Sequence, residues 1–89
     1  MLHWINKQGV QSDDGWMLQR ETRFTYSYHE NDRVLTLPVE DAKLFLSDLL
    51  VWKSPNGDIA VVPQERTLIE ARLREALKFM ETGYTVVSN

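Results

Sequence analysis

His3 and His29 are the only side chains in this 89-residue chain with an ordinary pKa suited to proton transfer near neutrality, and cysteine is absent. Nucleophilic catalysis needs a nucleophile, a base and a group that orients the base. No serine lies in a Gly-x-Ser-x-Gly elbow. An enzymatic reading therefore needs a Ser/His/Asp site assembled by folding, a small hydrolase or transferase using His29 and nearby acids. The plainer reading makes His29 a solvent-facing strand residue beside Glu30, and His3 an exposed residue on the first strand. Metal binding has no support in spacing, since there is neither a His-x-x-x-His pair nor an Asp-rich calcium loop. Gly9, Gly15, Gly57 and Gly83 are too dispersed to cradle a phosphate. Glu40 and Asp41 are sequence neighbours, and on a strand neighbours point to opposite faces, so they do not make an acid/base pair. No cofactor is implied.

The elements that must position these groups come from a chain long enough for one domain, residues 1–89. It is 43% hydrophobic and 26% charged, a globular composition. A chain this short buries only about 60 to 65 per cent of its unfolded surface, so a deep ligand cavity is not expected. The first ten residues hold no apolar run of signal-peptide length, and no segment reaches membrane-spanning length, which favours a cytoplasmic protein with no membrane partner. Net charge is −3. From Gln64 onward Glu65, Glu70, Glu75 and Glu81 balance Arg66, Arg72, Arg74 and Lys78, so the whole net charge lies in residues 1–63. That argues against nucleic acid, which requires a positive footprint, and permits a basic partner.

Asp13-Asp14-Gly15 reads as a turn between a strand near Leu2 to Asn6 and another near Trp16 to Glu21. Phe24, Tyr26 and Tyr28 alternate with small polar residues, the period of a strand with one buried face. A base-stacking platform is the rival reading of these aromatics, and acidic surroundings weigh against it. Asn31-Asp32 offers a two-residue hairpin connection to Val34–Val39, where Leu35, Leu37 and Val39 share a side. Pro38 should fall at an edge or strand end. Periodicity alone leaves the apolar run of Lys43 to Lys53 open between a buried strand and a short helix, and we favour a strand near Leu49 to Lys53, ended by a Ser54-Pro55-Asn56-Gly57 turn. Trp52 reads as a packing residue, with a binding surface as its alternative. Ile69, Leu73, Ala76, Leu77 and Met80 step by three and four, giving a long amphipathic helix from Pro63 with Gly83 as its left-handed cap. Tyr84 to Val87 reads as a final edge strand. The expected fold is α+β: a small, mostly antiparallel sheet packed against one long C-terminal helix.

Several motifs recur together: Leu46-Ser47-Asp48-Leu49, Trp52-Lys53-Ser54-Pro55-Asn56-Gly57, Glu65-Arg66, and Ile69 to Leu77 with Arg74-Glu75-Ala76-Leu77, then Gly83 before a last strand. With the hairpin Thr25-Tyr26-Ser27-Tyr28 and Asp32 to Glu40, this order resembles immunity proteins of bacterial polymorphic-toxin and contact-dependent growth inhibition systems, the immunity protein 74 group in particular. Lys53 and Asn56 depart from that group's pattern, which has an acidic residue and a histidine there, and the first 20 residues fall outside it. The resemblance implies a non-enzymatic protein that binds and blocks one partner, the C-terminal domain of a cognate toxin. Many such toxins are basic nucleases, which an acidic inhibitor can meet quickly. Candidate contact residues are the acids at sheet turns, Asp13, Asp14, Glu30, Asp32 and Asp58, with Trp16 and His29 beside them. The competing expectation is a small regulatory or subunit-interaction domain that associates through a sheet edge such as Tyr84 to Val87.

Overall fold

A computed structural model describes residues 1–47 and 49–88. Asp48, part of the Leu46-Ser47-Asp48-Leu49 motif, lies outside the described residues. Among the described residues nine strands and one helix follow in the order β1 (Leu2–Asn6), β2 (Gly9–Ser12), β3 (Trp16–Thr22), β4 (Thr25–Glu30), β5 (Arg33–Glu40), β6 (Lys43–Leu46), β7 (Val51–Ser54), β8 (Gly57–Ala60), α1 (Pro63–Phe79) and β9 (Thr85–Ser88). The sheet runs β1-β2-β3-β4-β5-β6-β9, with β7 joined to β5 and β8 to β7. Every pairing is antiparallel except β6 with β9, whose parallel register the intervening helix makes possible. The expected α+β architecture is the observed one. Among the described residues no helix is long and apolar enough to cross a membrane.

One face of the sheet carries the core. Leu18, Tyr28 and Leu35 stand opposite one another across β3, β4 and β5, and Tyr26 stands opposite Leu37. All are buried, as are Ile69, Leu73, Ala76 and Leu77 on the helix stripe that covers them. Each large side chain so placed contributes on the order of 1.5–3 kcal/mol. Trp52 belongs to this core and packs against Tyr28, the rings tilted at 45° with centroids 5.8 Å apart. Phe24 does not belong to it. Strand β4 begins one residue later, and Phe24 sits in the preceding turn, its N–H donating to Thr22 Oγ1 at 3.1 Å and its side chain exposed.

Three strands depart from the expected plan. The segment before Asp13 folds back on β1 as β2, so the Asp13-Asp14-Gly15 turn joins β2 to β3. The apolar run after Ala42 divides into β6 and β7, and the residues after Gly57 form β8, which returns along β7 from the Pro55-Asn56 turn. Pro38 lies inside β5, neither at a sheet edge nor at the strand's end, and a break in the pairing accommodates it. Val39 donates its N–H to Phe24 O, so the nitrogen of Pro38 faces the other side of β5, in the gap between the β7 pairing at Val34 and the β6 pairing at Val39.

The helix opens with Pro63 at its first position and the Glu65 carboxylate accepting the Val62 N–H at 3.2 Å. Its end differs from expectation. Thr82 N–H donates to Leu77 O and Glu81 N–H to Lys78 O, a Schellman arrangement whose left-handed residue is Glu81, with φ of 55°. Gly83 is also left-handed, but it lies beyond the cap, in the connection to β9. A second left-handed pair, Asp41 and Ala42, closes the β5–β6 hairpin with φ of 52° and 61°. Left-handed geometry costs a side-chain-bearing residue about 1–2 kcal/mol, partly offset by the entropy glycine would lose. Glu81→Gly and Ala42→Gly should therefore each raise stability by about 0.5–1 kcal/mol, read from urea denaturation midpoints at constant m-value.

Candidate functional site

Strand register brings distant acids to one end of the molecule. Trp16 opposes Glu30, Glu30 opposes Arg33, Val34 opposes Lys53 and Ser54 opposes Gly57. The Asp13-Asp14-Gly15, Asn31-Asp32 and Pro55-Asn56 turns therefore all leave the sheet at the same end. Asp13, Asp14, Asp32 and Asp58 are exposed there. Asp58 pairs with Lys53 at 2.8 Å, and Asp13 lies 4.0 Å from His3. Asp14 and Asp32 enter no ion pair among the described residues. Ser12 Oγ accepts the Asp14 N–H at 3.0 Å and fixes the first turn, while Asn31, left-handed at φ of 58°, fixes the second.

The remaining candidates serve other ends. Trp16 is 1% exposed; its ring stacks on Tyr28 at 5.9 Å, and its place in the core corrects the expectation of a contact residue. Glu30 is half-buried and fully engaged: Arg33 donates to Oε2 at 2.9 Å, Arg72 to Oε1 at 2.8 Å and Tyr28 Oη to Oε1 at 3.1 Å. Arg33 also pairs with Glu65 on the first turn of α1, so hairpin and helix share one charge network. The guanidiniums lie over aromatic rings, Arg33 above Trp52 at 4.1 Å and Arg72 above Trp16 at 5.7 Å. Burial works against the Glu30 carboxylate, yet hydrogen bonds from Arg33 and Tyr28, with the charges of both arginines, hold its pKa below the ordinary glutamate value. Burial pushes the Tyr28 hydroxyl up to about 12 against the pull of Arg72. Glu30 is thus a docking residue of the fold.

His29 lies on the sheet face away from the helix. Its Nε2 is 2.9 Å from Ser27 Oγ, which lies 2.6 Å from Glu21 Oε1. Ser, His and a carboxylate do meet here, and two of them, Ser27 and Glu21, were not singled out by sequence. The geometry is not that of an activated nucleophile: the carboxylate bonds the hydroxyl instead of orienting the imidazole, and a hydroxyl has one proton to give. Ser27 is itself buried in mid-sheet, where β3 and β5 flank the strand and engage its backbone N–H groups in their ladders. The trio therefore ties strand β4 to β3. Ser27 and His29 share a face by their spacing of two, but Glu21 joins them only through the β3–β4 register, which no local pattern specifies. Among the described residues no group of three His, Cys, Asp or Glu side chains is placed to hold a metal ion.

No family model, curated protein or solved structure matches the chain.

The network around Glu30 has a pH signature. Because its folded pKa lies below the unfolded value, its stabilisation is complete above about pH 4.5 and is lost as pH falls through the lower folded value. Glu30→Gln should cost about 1.5–3 kcal/mol at pH 7, and the gap between variant and wild type should close as pH drops below about 4.5, measured by urea titrations across pH.

Proposed function

We propose that this chain is an immunity protein that binds and neutralises a cognate toxin domain of a contact-dependent inhibition or polymorphic-toxin system, acting in the cytoplasm and performing no chemistry of its own. The observation that carries this reading is the gathering of exposed carboxylates at one end of the sheet, Asp13 and Asp14 on one turn, Asp32 on a second and Asp58 at the start of β8. The resemblance of the Thr25–Glu40 hairpin and the Trp52–Gly83 pattern to immunity proteins supplies the partner class. A basic nuclease domain is the toxin such a surface suits. Asp14 and Asp32, free of ion pairs among the described residues, can exchange water for a partner's lysine or arginine without breaking an internal contact.

The recognition follows from elementary electrostatics. An acidic end on a chain of net charge −3 accelerates encounter with a positively charged groove, and it blocks phosphate-binding cations once seated. Affinity then depends on a few desolvated contacts at the centre of the interface. The β-turns suit the task because their backbones are fixed by local hydrogen bonds before the partner arrives, which lowers the ordering cost of binding.

Co-expression with the product of the adjacent upstream gene should rescue growth from that product's toxicity. The double variant Asp14→Asn/Asp32→Asn should slow association about tenfold at low ionic strength and converge on wild type at high salt, measured by stopped-flow fluorescence. An adjacent gene that encodes no toxin, or an association rate indifferent to both substitutions and salt, would sink the reading.

A further inference from the structure

Strand β1 ends the sheet, and its outer edge is open. Asp13 donates its N–H to Met1 O at 3.2 Å, so Met1 and Asp13 form a hydrogen-bonded pair, and His3 with Gln11 forms the next. The N–H and C=O groups of Leu2 and Trp4, opposite Ser12 and Val10, therefore face away from β2 with no strand among the described residues to meet them. Apolar side chains flank that edge on both faces. Trp4 is 48% exposed and leans on Phe79 at 5.7 Å on the helix side, while Ile5 is 39% exposed. A shallow groove of about 480 Å³, lined by Met1, Leu2, Glu75, Lys78 and Phe79, runs beside them.

We infer that a second copy of this chain covers this edge, the two β1 strands pairing antiparallel about a two-fold axis centred on His3. That register alone uses both outward-facing residues of each copy: Leu2 pairs with Trp4 of the other copy, and Trp4 with its Leu2. The two His3 residues then face each other as a non-hydrogen-bonded pair, with Cβ atoms about 4.5–5.5 Å apart. Trp4 of each copy lies against Leu2 of the other, extending the apolar cover of the groove.

Charge selects this occupant. Residues 1–6 contain no Asp, Glu, Lys or Arg side chain, and the groove beside them holds one charge of each sign, Glu75 and Lys78, so two molecules of net charge −3 meet here without net repulsion and a strongly basic partner finds no acidic surplus to match. Antiparallel pairing also sends the acidic turn ends of the two copies to opposite ends of the joined sheet. The other free edges are less open: the Arg74 guanidinium occupies Val86 O of β9 at 3.4 Å, and β8 carries the Asp58–Lys53 ion pair. The inference is independent of toxin binding, because the turns stay uncovered in the dimer.

The test is sedimentation velocity over a concentration series. Wild type should sediment as a dimer that dissociates on dilution. His3→Glu and His3→Lys, each folded by circular dichroism, should sediment as monomers because like charges face across the axis, and an equimolar mixture should recover the dimer. A wild type that stays monomeric at every concentration overturns the proposal without recourse to variants. Single variants that dimerise as wild type does, or a mixture that stays monomeric, overturn the register.

Discussion

The Glu30 carboxylate, gripped by Arg33 from its own hairpin and by Arg72 from the helix, is the contact on which the arrangement of this molecule depends. A half-buried charge must be matched or it destabilises the fold. Matching it here requires the last residue of β4, the first of β5 and the middle of α1 to meet at one place. Once they do, the guanidinium planes roof Trp52 and Trp16, and Arg33 reaches Glu65 on the first helical turn. Hydrophobic burial presses the helix stripe onto the sheet without fixing its position along the strands. The charge network supplies that register.

Two populations of acid follow from this division. Glu30 and Glu65 are consumed by arginines inside the structure, whereas Asp14 and Asp32 stand on turns whose shapes are set by the Asp14 N–H donating to Ser12 Oγ in one and by left-handed Asn31 in the other. Sequence placed Glu30 and Asp32 in one class because they flank the same turn. Folding separates them, and only the exposed members can contribute to recognition by a basic partner.

Legibility in the sequence tracked how local the controlling physics is. The β4–β5 hairpin and the helix announce themselves through periods of two and of three to four, and the hairpin strands and the helix start match within a residue. Strand β6 has no local signature because its hairpin closes through Asp41-Ala42, a left-handed pair usually flagged by Asp-Gly. The helix cap departs from the residue pattern for a similar reason: Glu81 adopts the left-handed cap conformation for which Gly83 is the better-suited residue type. Trp16 follows a turn and looks available, yet it is buried because Arg72, more than fifty residues later, closes over it. The Glu21–Ser27–His29 contacts likewise need the β3–β4 register, and the convergence of three turns needs the whole strand order. Long-range pairing decided each of these.

The function proposed here turns on which surface meets the toxin. Hydrogen–deuterium exchange of the chain, free and bound to the toxin domain proposed as its partner, locates that surface directly. Added protection confined to the turns at residues 13–15, 31–32 and 55–58 is the expected result. Protection centred instead on the solvent face of α1 or on β9, with the turns exchanging as in the free protein, would contradict it.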